Sequence, residues 1–191
     1  MPTTQTLNQQ LADIKAQLDA ASERAAIIVN SIAFEQLNER PQPDQWSIAE
    51  CLVHLNLSSQ AEIAVINRVF EQKQAKKIAA GKQFKMDLLG RFLKWSLEPP
   101  PMFFSKMKTT KPFQPVIVEQ SSDVLPTFLA LQEQLKACVD TASELPLNEI
   151  KVESPFDTRV KYNLFSFFHI LLAHERRHLW QAEKAREAVK R

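Results

Sequence analysis

The segment Asn163–Val189, NLFSFFHILLAHERRHLWQAEKAREAV, has the periodicity of one long amphipathic helix. On a helical wheel of about 100° per residue with Phe167 at zero, its main apolar side chains point within about 60° of one direction. These side chains are those of Leu164, Phe167, Ile170, Leu171, Ala182 and Ala185. A stripe of this width predicts a helix that packs one face on a protein core.

Three further segments show helical periodicity of the same kind. Apolar residues recur at three- and four-residue steps over about Thr6–Ser31, about Ile48–Ala80 and about Ser121–Ala142. The second segment follows a capping box, in which Ser47 accepts from a backbone amide while the Glu50 side chain reaches back. Four long amphipathic helices joined by polar, proline-marked loops predict an all-α protein, a four-helix bundle.

The composition of the chain limits its fold class and its location. The 191 residues are 45% hydrophobic and 24% charged, which is typical of one globular domain over residues 1–191. Only two glycines are present, which argues against a β-sandwich, a barrel or a Gly-rich phosphate loop. Cys51 and Cys138 lie in helical patterns, as expected for a reduced, cytoplasmic protein. No segment resembles a signal peptide or approaches the roughly 20 apolar residues of a membrane span.

The segment between the second and third predicted helices, about residues 81–115, differs from the rest of the chain. A short helical pattern over Lys82–Leu97 ends at Pro99–Pro101, since proline breaks helices. Ten basic residues against two acidic ones give residues 73–111 a charge of about +8, so the net +2 leaves about −6 elsewhere. The basic residues are Lys73, Lys76, Lys77, Lys82, Lys85, Arg91, Lys94, Lys106, Lys108 and Lys111. We call the segment of about residues 81–115 the basic insert, and we interpret it either as a solvated loop or as a surface that binds anionic groups.

Two histidines of the last helix carry the clearest chemical signal. His174 and His178 fall about 20° either side of the centre of the apolar stripe, so both imidazoles should face the core. Spacing of i, i+4 suits two ligands of one metal ion, and a pair of buried polar rings is otherwise costly. The alternative is an ordinary pair of hydrogen-bonded core histidines. His169 falls near 200° and should face away from the pair.

Further candidates come from the remaining polar residues of the helices. His54 of the second helix is the remaining histidine available as a third ligand, with an interhelical hydrogen bond as its alternative role. Glu62 falls inside the apolar stripe of the same helix, where it is a candidate ligand, orienting group or base, or a member of a salt bridge. Gln181 shares the face of His174 and His178. The string from His174 to His178 matches the HExxH pattern of zinc proteases, but Glu175 points about 80° aside and no strand pattern precedes the helix, so a protease is not expected.

Two motifs carry a resemblance to a known family. The stretch Gln45–Leu55, QWSIAECLVHL, resembles the W-S-x-x-E-x-x-x-H-L opening of the DinB/YfiT-like superfamily. The stretch Leu172–Gln181, LAHERRHLWQ, resembles its H-x-x-x-H-x-x-Q ending, and Ser154–Phe156 fits the pattern ahead of the last helix. The resemblance implies a bundle of up-down-down-up order, often dimeric, with a divalent metal, commonly zinc or nickel, on His54, His174 and His178.

The resemblance also implies an activity. Understood members include transferases and isomerases that use low-molecular-weight thiols, so we expect a metal-dependent thiol transferase or a hydrolase with a small-molecule substrate. Glu62, Glu175 and Gln181 are the candidate catalytic residues, and Lys82, Lys85 and Arg91 are candidate contacts for an anionic thiol cofactor. One alternative is a non-catalytic metal-binding stress-response protein. Another alternative is a protein that binds anionic membranes or nucleic acid through the basic insert, although nucleic acid is not expected as a partner. Its apolar contacts would be Phe92, Trp95, Met102, Phe103 and Phe104.

Overall fold

The computed structural model describes residues 6–72, 83–100, 109–116 and 121–190. Its helices are α1 (Leu7–Asn30), α2 (Ile48–Glu71), α3 (Leu88–Leu97), α4 (Val124–Ala142) and α5 (Leu164–Val189), and its strands are β1 (Lys151–Glu153) and β2 (Lys161–Asn163). Short 3-10 turns occur at Phe34–Asn38, Lys111–Phe113 and Ser121–Asp123. The four long helices predicted from the sequence are therefore present as α1, α2, α4 and α5.

The helix ends follow local capping chemistry. Thr6 caps α1 and Asn163 caps α5, each accepting from a backbone amide of the first turn. The N-terminus of α2 lies where the capping box predicts it, and α2 ends at Glu71. Its predicted extension over residues 73–80 lies outside the described residues, and so does Lys82.

The chain is mostly helical, as the sequence predicts, but a short antiparallel hairpin that the sequence did not predict precedes α5. In that hairpin Val152 and Tyr162 lie opposite each other and are buried, while the flanking charged residues are exposed. Each strand has three residues, fewer than the four to eight over which alternation becomes a recognisable signal. The hairpin leads directly into α5, because Asn163 is both the last residue of β2 and the cap of the helix.

The core lies between the long helices. Helix α5 packs against α1 and α2, and α4 packs against the same two helices. The largest fully buried side chains come from all four, and they include Ile14, Leu18, Leu52, Phe128, Leu135, Phe167 and Phe168. Cys51 and Cys138 are buried free thiols in this core, and burial raises the pKa of both. The described part of the chain contains no helix long and apolar enough to cross a membrane.

The basic insert contributes α3, which packs against α5. At the contact, Gly90 lies so close to Ser166 that a Cβ atom at this position would be 2.2 Å from the Ser166 Oγ. Asp87 caps α3 and ties it to α5, since the Ser166 Oγ donates to its carboxylate at 3.1 Å. The backbone amide of Asn163 donates to the same carboxylate at 2.8 Å. The insert helix is therefore held on the surface of α5 by polar contacts as well as by packing.

Candidate metal centre

The first turn of α2 is fixed by a buried polar network. The Glu50 amide donates to the Ser47 Oγ at 3.1 Å, and the Ser47 amide donates back to the Glu50 carboxylate at 2.9 Å. The Nε and Nη2 of Arg40 also donate to that carboxylate. Burial by itself would raise the pKa of Glu50, but the hydrogen bonds from Arg40 and Ser47 outweigh it and hold the pKa below its usual value. This network fixes the start of α2 directly after Trp46, the residue before the cap.

Three histidines converge between α2 and α5. The Nε2 atoms of His54 and His174 are 3.2 Å apart, and His54, His174 and His178 offer nitrogen atoms that all lie within 4.8 Å of one another. All three side chains are buried. The structure therefore brings His54 together with the inward-facing pair of α5.

The tautomer of His54 is set by the basic insert. Its Nδ1 lies 2.7 Å from the backbone carbonyl of Phe113. Because a carbonyl oxygen only accepts, the proton of neutral His54 lies on Nδ1 and the Nε2 lone pair faces the other two histidines. A hydrogen bond of this kind on the outer nitrogen is the usual support of a metal-ligating imidazole.

The three imidazoles are held in the neutral form. Burial lowers the pKa of all three. The neighbouring imidazoles and Arg177 lower the pKa of His174 and His178 further, while Gln181 acts in the opposite direction on His178. Gln181 was predicted to lie on the same face of α5 as His178, and its effect on the pKa of His178 agrees with that position. Neutral imidazoles present the lone pairs that a metal ion requires.

The donor set fits a transition-metal ion. Two nitrogens bound tetrahedrally at 2.0–2.1 Å are separated by about 3.3 Å, close to the 3.2 Å between the Nε2 atoms of His54 and His174. Within the described residues, the Nδ1 atoms of His174 and His178 are buried without a hydrogen-bond partner. A metal ion on the Nε2 of His174 would leave the Nδ1 of that ring without a partner, so the fit rests on the spacing of the nitrogens. The cluster can therefore bind a metal ion.

Aromatic rings enclose the cluster. Trp46 stacks on His178 with centroids 5.7 Å apart and lies 5.0 Å from His54. Phe156 lies 5.1 Å from His174, and Phe113 packs on Phe156 at 4.7 Å. Neither phenylalanine was predicted from the sequence to lie at the cluster. The motifs that contain Trp46 and Phe156 were the available signal, whereas nothing in the sequence marks the Phe113 carbonyl.

Glu62 and Glu175, the two glutamates considered as acid–base groups, lie near each other. Neither belongs to the group of side chains that could hold a metal ion. Glu62 is buried, and both burial and the nearby charge of Glu175 raise its pKa well above the usual value. Burial raises the pKa of Glu175 to about 7. The Gln132 side chain on α4 donates to the Glu175 carboxylate at 2.6 Å. Glu175 thus faces Gln132, which is not the arrangement of the HExxH glutamate beside its metal. The second argument against a protease was that no strand precedes α5. That expectation was wrong, because β1 and β2 lie before this helix.

The remaining candidates lie elsewhere on α5 and on α3. His169 points away from the cluster, as predicted, but it is covered rather than solvated, since it packs on Phe165 at 4.6 Å. Lys85 and Arg91 are exposed residues of the insert. Helix α3 and its caps contact α5 through Ser166 and Arg176, which lie about 100° and 180° around that helix from the centre of its apolar stripe. The structure therefore does not bring Lys85 or Arg91 together with the histidines.

One of three comparisons with known proteins finds a match. A family model described as the DinB superfamily matches residues 17–182, a span that includes all three histidines. No curated protein and no solved structure matches the chain significantly.

Proposed function

The chain belongs to the DinB superfamily, and we propose that it is an enzyme that uses a divalent transition metal ion, zinc or nickel foremost, bound by His54, His174 and His178. The proposed reaction is transfer of a low-molecular-weight thiol to a small-molecule substrate, or hydrolysis. The observation that carries the proposal is the convergence of three buried imidazoles within 4.8 Å. Their neutral state and the tautomer of His54 support it.

Three protein ligands are the number found in catalytic rather than closed structural sites. A metal ion held there supplies Lewis-acid chemistry that lowers the pKa of a thiol or a water molecule into the neutral range.

The chain's own residues perform the other tasks of the site. Hydrogen bonding to the Phe113 carbonyl holds the His54 ring in one orientation. The rings of Trp46 and Phe156 cover His178 and His174, which limits the access of bulk water and strengthens electrostatic interactions. Glu62 and Glu175 are the candidate proton carriers, because burial raises the pKa of both. Gln181 is the candidate for orienting His178.

The test is turnover by the zinc- and nickel-loaded protein. Glutathione, bacillithiol and mycothiol are each paired with an aryl halide electrophile, and p-nitrophenyl acetate tests hydrolysis. We expect turnover by the wild type and by His169→Ala, and at least a hundredfold loss in His174→Ala. Metal binding without turnover of any of these substrates would instead favour the non-catalytic metal-binding protein.

The same proposal includes the family's arrangement of the chain. We propose a single domain of up-down-down-up order that forms a homodimer in the cytoplasm. Crosslinking and light scattering of the purified protein test the dimer. A monomer at micromolar concentration would remove the dimer from the proposal without affecting the metal centre.

A further inference from the structure

Helix α3 has apolar side chains on two opposite sides. On the inner side Leu93 and Leu97 pack on the core beside α5. On the outer side Leu88 is 82% exposed, and Phe92 and Trp95 are each 52% exposed. These three residues have i, i+4, i+7 spacing and so form one stripe. Leu89, at 42% exposure, lies beside them. We call Leu88, Leu89, Phe92 and Trp95 the outer face of α3.

The surroundings of the outer face have excess positive charge. Asp87 is paired with Lys151 at 2.5 Å, and Glu98 is paired with Arg176 at 2.6 Å. The two acidic residues of the helix and its caps are thus neutralised by partners on other elements. Lys85 and Arg91 are exposed, and neither has an ion-pair partner in the part of the chain that the structure describes. The outer face is therefore an apolar stripe beside uncompensated cations.

We propose that the outer face of α3 binds the surface of an anionic phospholipid bilayer. Leu88, Phe92 and Trp95 would enter the headgroup region, where aromatic rings are favourably placed. Lys85 and Arg91 would contact lipid phosphates, because basic residues near such a surface are attracted to its negative charge. This binding is independent of the histidine cluster, because the outer face of α3 is exposed whereas the three histidines are buried.

Charge and side-chain chemistry favour a bilayer over other occupants. A second copy joined through the same face would bring the exposed Lys85 and Arg91 of each copy together, and like charges at an interface are unfavourable. Nucleic acid would use the cations and the aromatic rings, but it would leave the aliphatic Leu88 and Leu89 without a partner. A bilayer satisfies both the aliphatic residues and the cations.

The attachment of α3 to α5 supplies the preorganisation. A ten-residue helix is short for independent stability. Here the contact of Gly90 with Ser166 and the bonds of the Asp87 carboxylate hold it in place before any surface is encountered. The ordering cost of binding is therefore reduced.

The experiment uses the full chain with two kinds of vesicle, pure phosphatidylcholine and phosphatidylcholine with about 30% phosphatidylserine. We expect cosedimentation with the anionic vesicles, at least tenfold weaker binding to the neutral ones, and loss of binding in about 0.5 M salt. The double variant Phe92→Ser/Trp95→Ser should bind at least tenfold more weakly, and Arg91→Glu should also weaken binding. Ile27→Ser is the matched control, because Ile27 is 63% exposed on α1, and it should bind as the wild type does.

Three results would overturn the proposal. One is equal binding of the wild type and Phe92→Ser/Trp95→Ser to anionic vesicles, or no binding by either. Another is self-association of the wild type that Phe92→Ser/Trp95→Ser abolishes and no other variant does. That result would show that the outer face binds a second copy of the chain. The third is binding of duplex DNA in preference to vesicles. The substitutions of Ile27, Arg91, Phe92 and Trp95 are at exposed positions, and circular dichroism verifies that each variant folds. His174→Ala should bind vesicles normally, which separates this result from that on the metal centre.

Discussion

Replacing Gly90 by alanine tests whether close packing governs the position of the insert helix. A Cβ atom there would lie 2.2 Å from the Ser166 Oγ, 2.3 Å from the Ser166 Cβ and 2.9 Å from the Asp87 Oδ1. Ordinary contacts between such atoms exceed 3.4 Å. Ser166 is fully buried on α5, so it has no space to yield. The helix must therefore move by about 1 Å, or the bonds between Ser166 and Asp87 must break.

Two effects of opposite sign determine the size of the change. Alanine is favoured over glycine within a helix by about 1 kcal/mol. Overpacking costs about 1–3 kcal/mol, and each of the two hydrogen bonds between Asp87 and Ser166 contributes about 1 kcal/mol. We expect Gly90→Ala to lower the free energy of unfolding by about 2 kcal/mol, which lowers Tm by about 4–8 °C in a chain of this size.

Urea unfolding and hydrogen exchange of α3 provide the measurement. Arg91→Ala is the control, since it changes an exposed neighbour in the same helix and should alter stability by less than about 0.5 kcal/mol. The double variant Gly90→Ala/Ser166→Gly should recover part of the loss at the contact. A Gly90→Ala protein that is more stable than the wild type would show that helix propensity outweighs the contact, and would refute the packing inferred here.

Two further predictions concern a cap and a buried imidazole. Glu50→Ala removes the partner of both Arg40 and the Ser47 amide and should lower the free energy of unfolding by about 1–3 kcal/mol; a loss no larger than that of Glu35→Ala, an exposed glutamate, would contradict this. Burial, with the charges of Lys94 and Arg176, lowers the pKa of His169 from 6.5 to about 4, so its contribution to stability is present above pH 6.5 and is lost as the pH falls towards 4. His169→Gln should flatten this part of the pH–stability curve by at most about 3 kcal/mol, and parallel curves for variant and wild type would oppose the assignment.

Helical periodicity accounts for much of what could be predicted from the sequence. The stripe of α5 places His174 and His178 on the buried face because i, i+4 spacing is a local property of a helix. The same construction places Glu62 inside α2, where it is buried. The capping box at Ser47 locates the start of α2 within one residue, because the reciprocal hydrogen bonds need only four consecutive residues.

Features that depend on contacts between distant segments could not be predicted in this way. The wheel shows that His169 faces away from the pair, but not that α3 covers that side of α5. The hydrogen bond from His54 to Phe113 joins residues 59 positions apart and uses a backbone oxygen, which every residue has. The pairing of Glu175 with Gln132 likewise depends on how α4 packs against the rest of the core. The hairpin before α5 escaped prediction because its strands are too short to show alternation.

Metal content is the most direct test of the central claim. Untagged protein, purified without chelators and incubated with zinc or nickel, is analysed by inductively coupled plasma mass spectrometry after removal of free metal. The three-histidine centre predicts about one ion per chain in the wild type and in His169→Ala, and almost none in His174→Ala or His178→Ala. A wild type that stays metal-free, or a His174→Ala variant that retains a full equivalent, would contradict it.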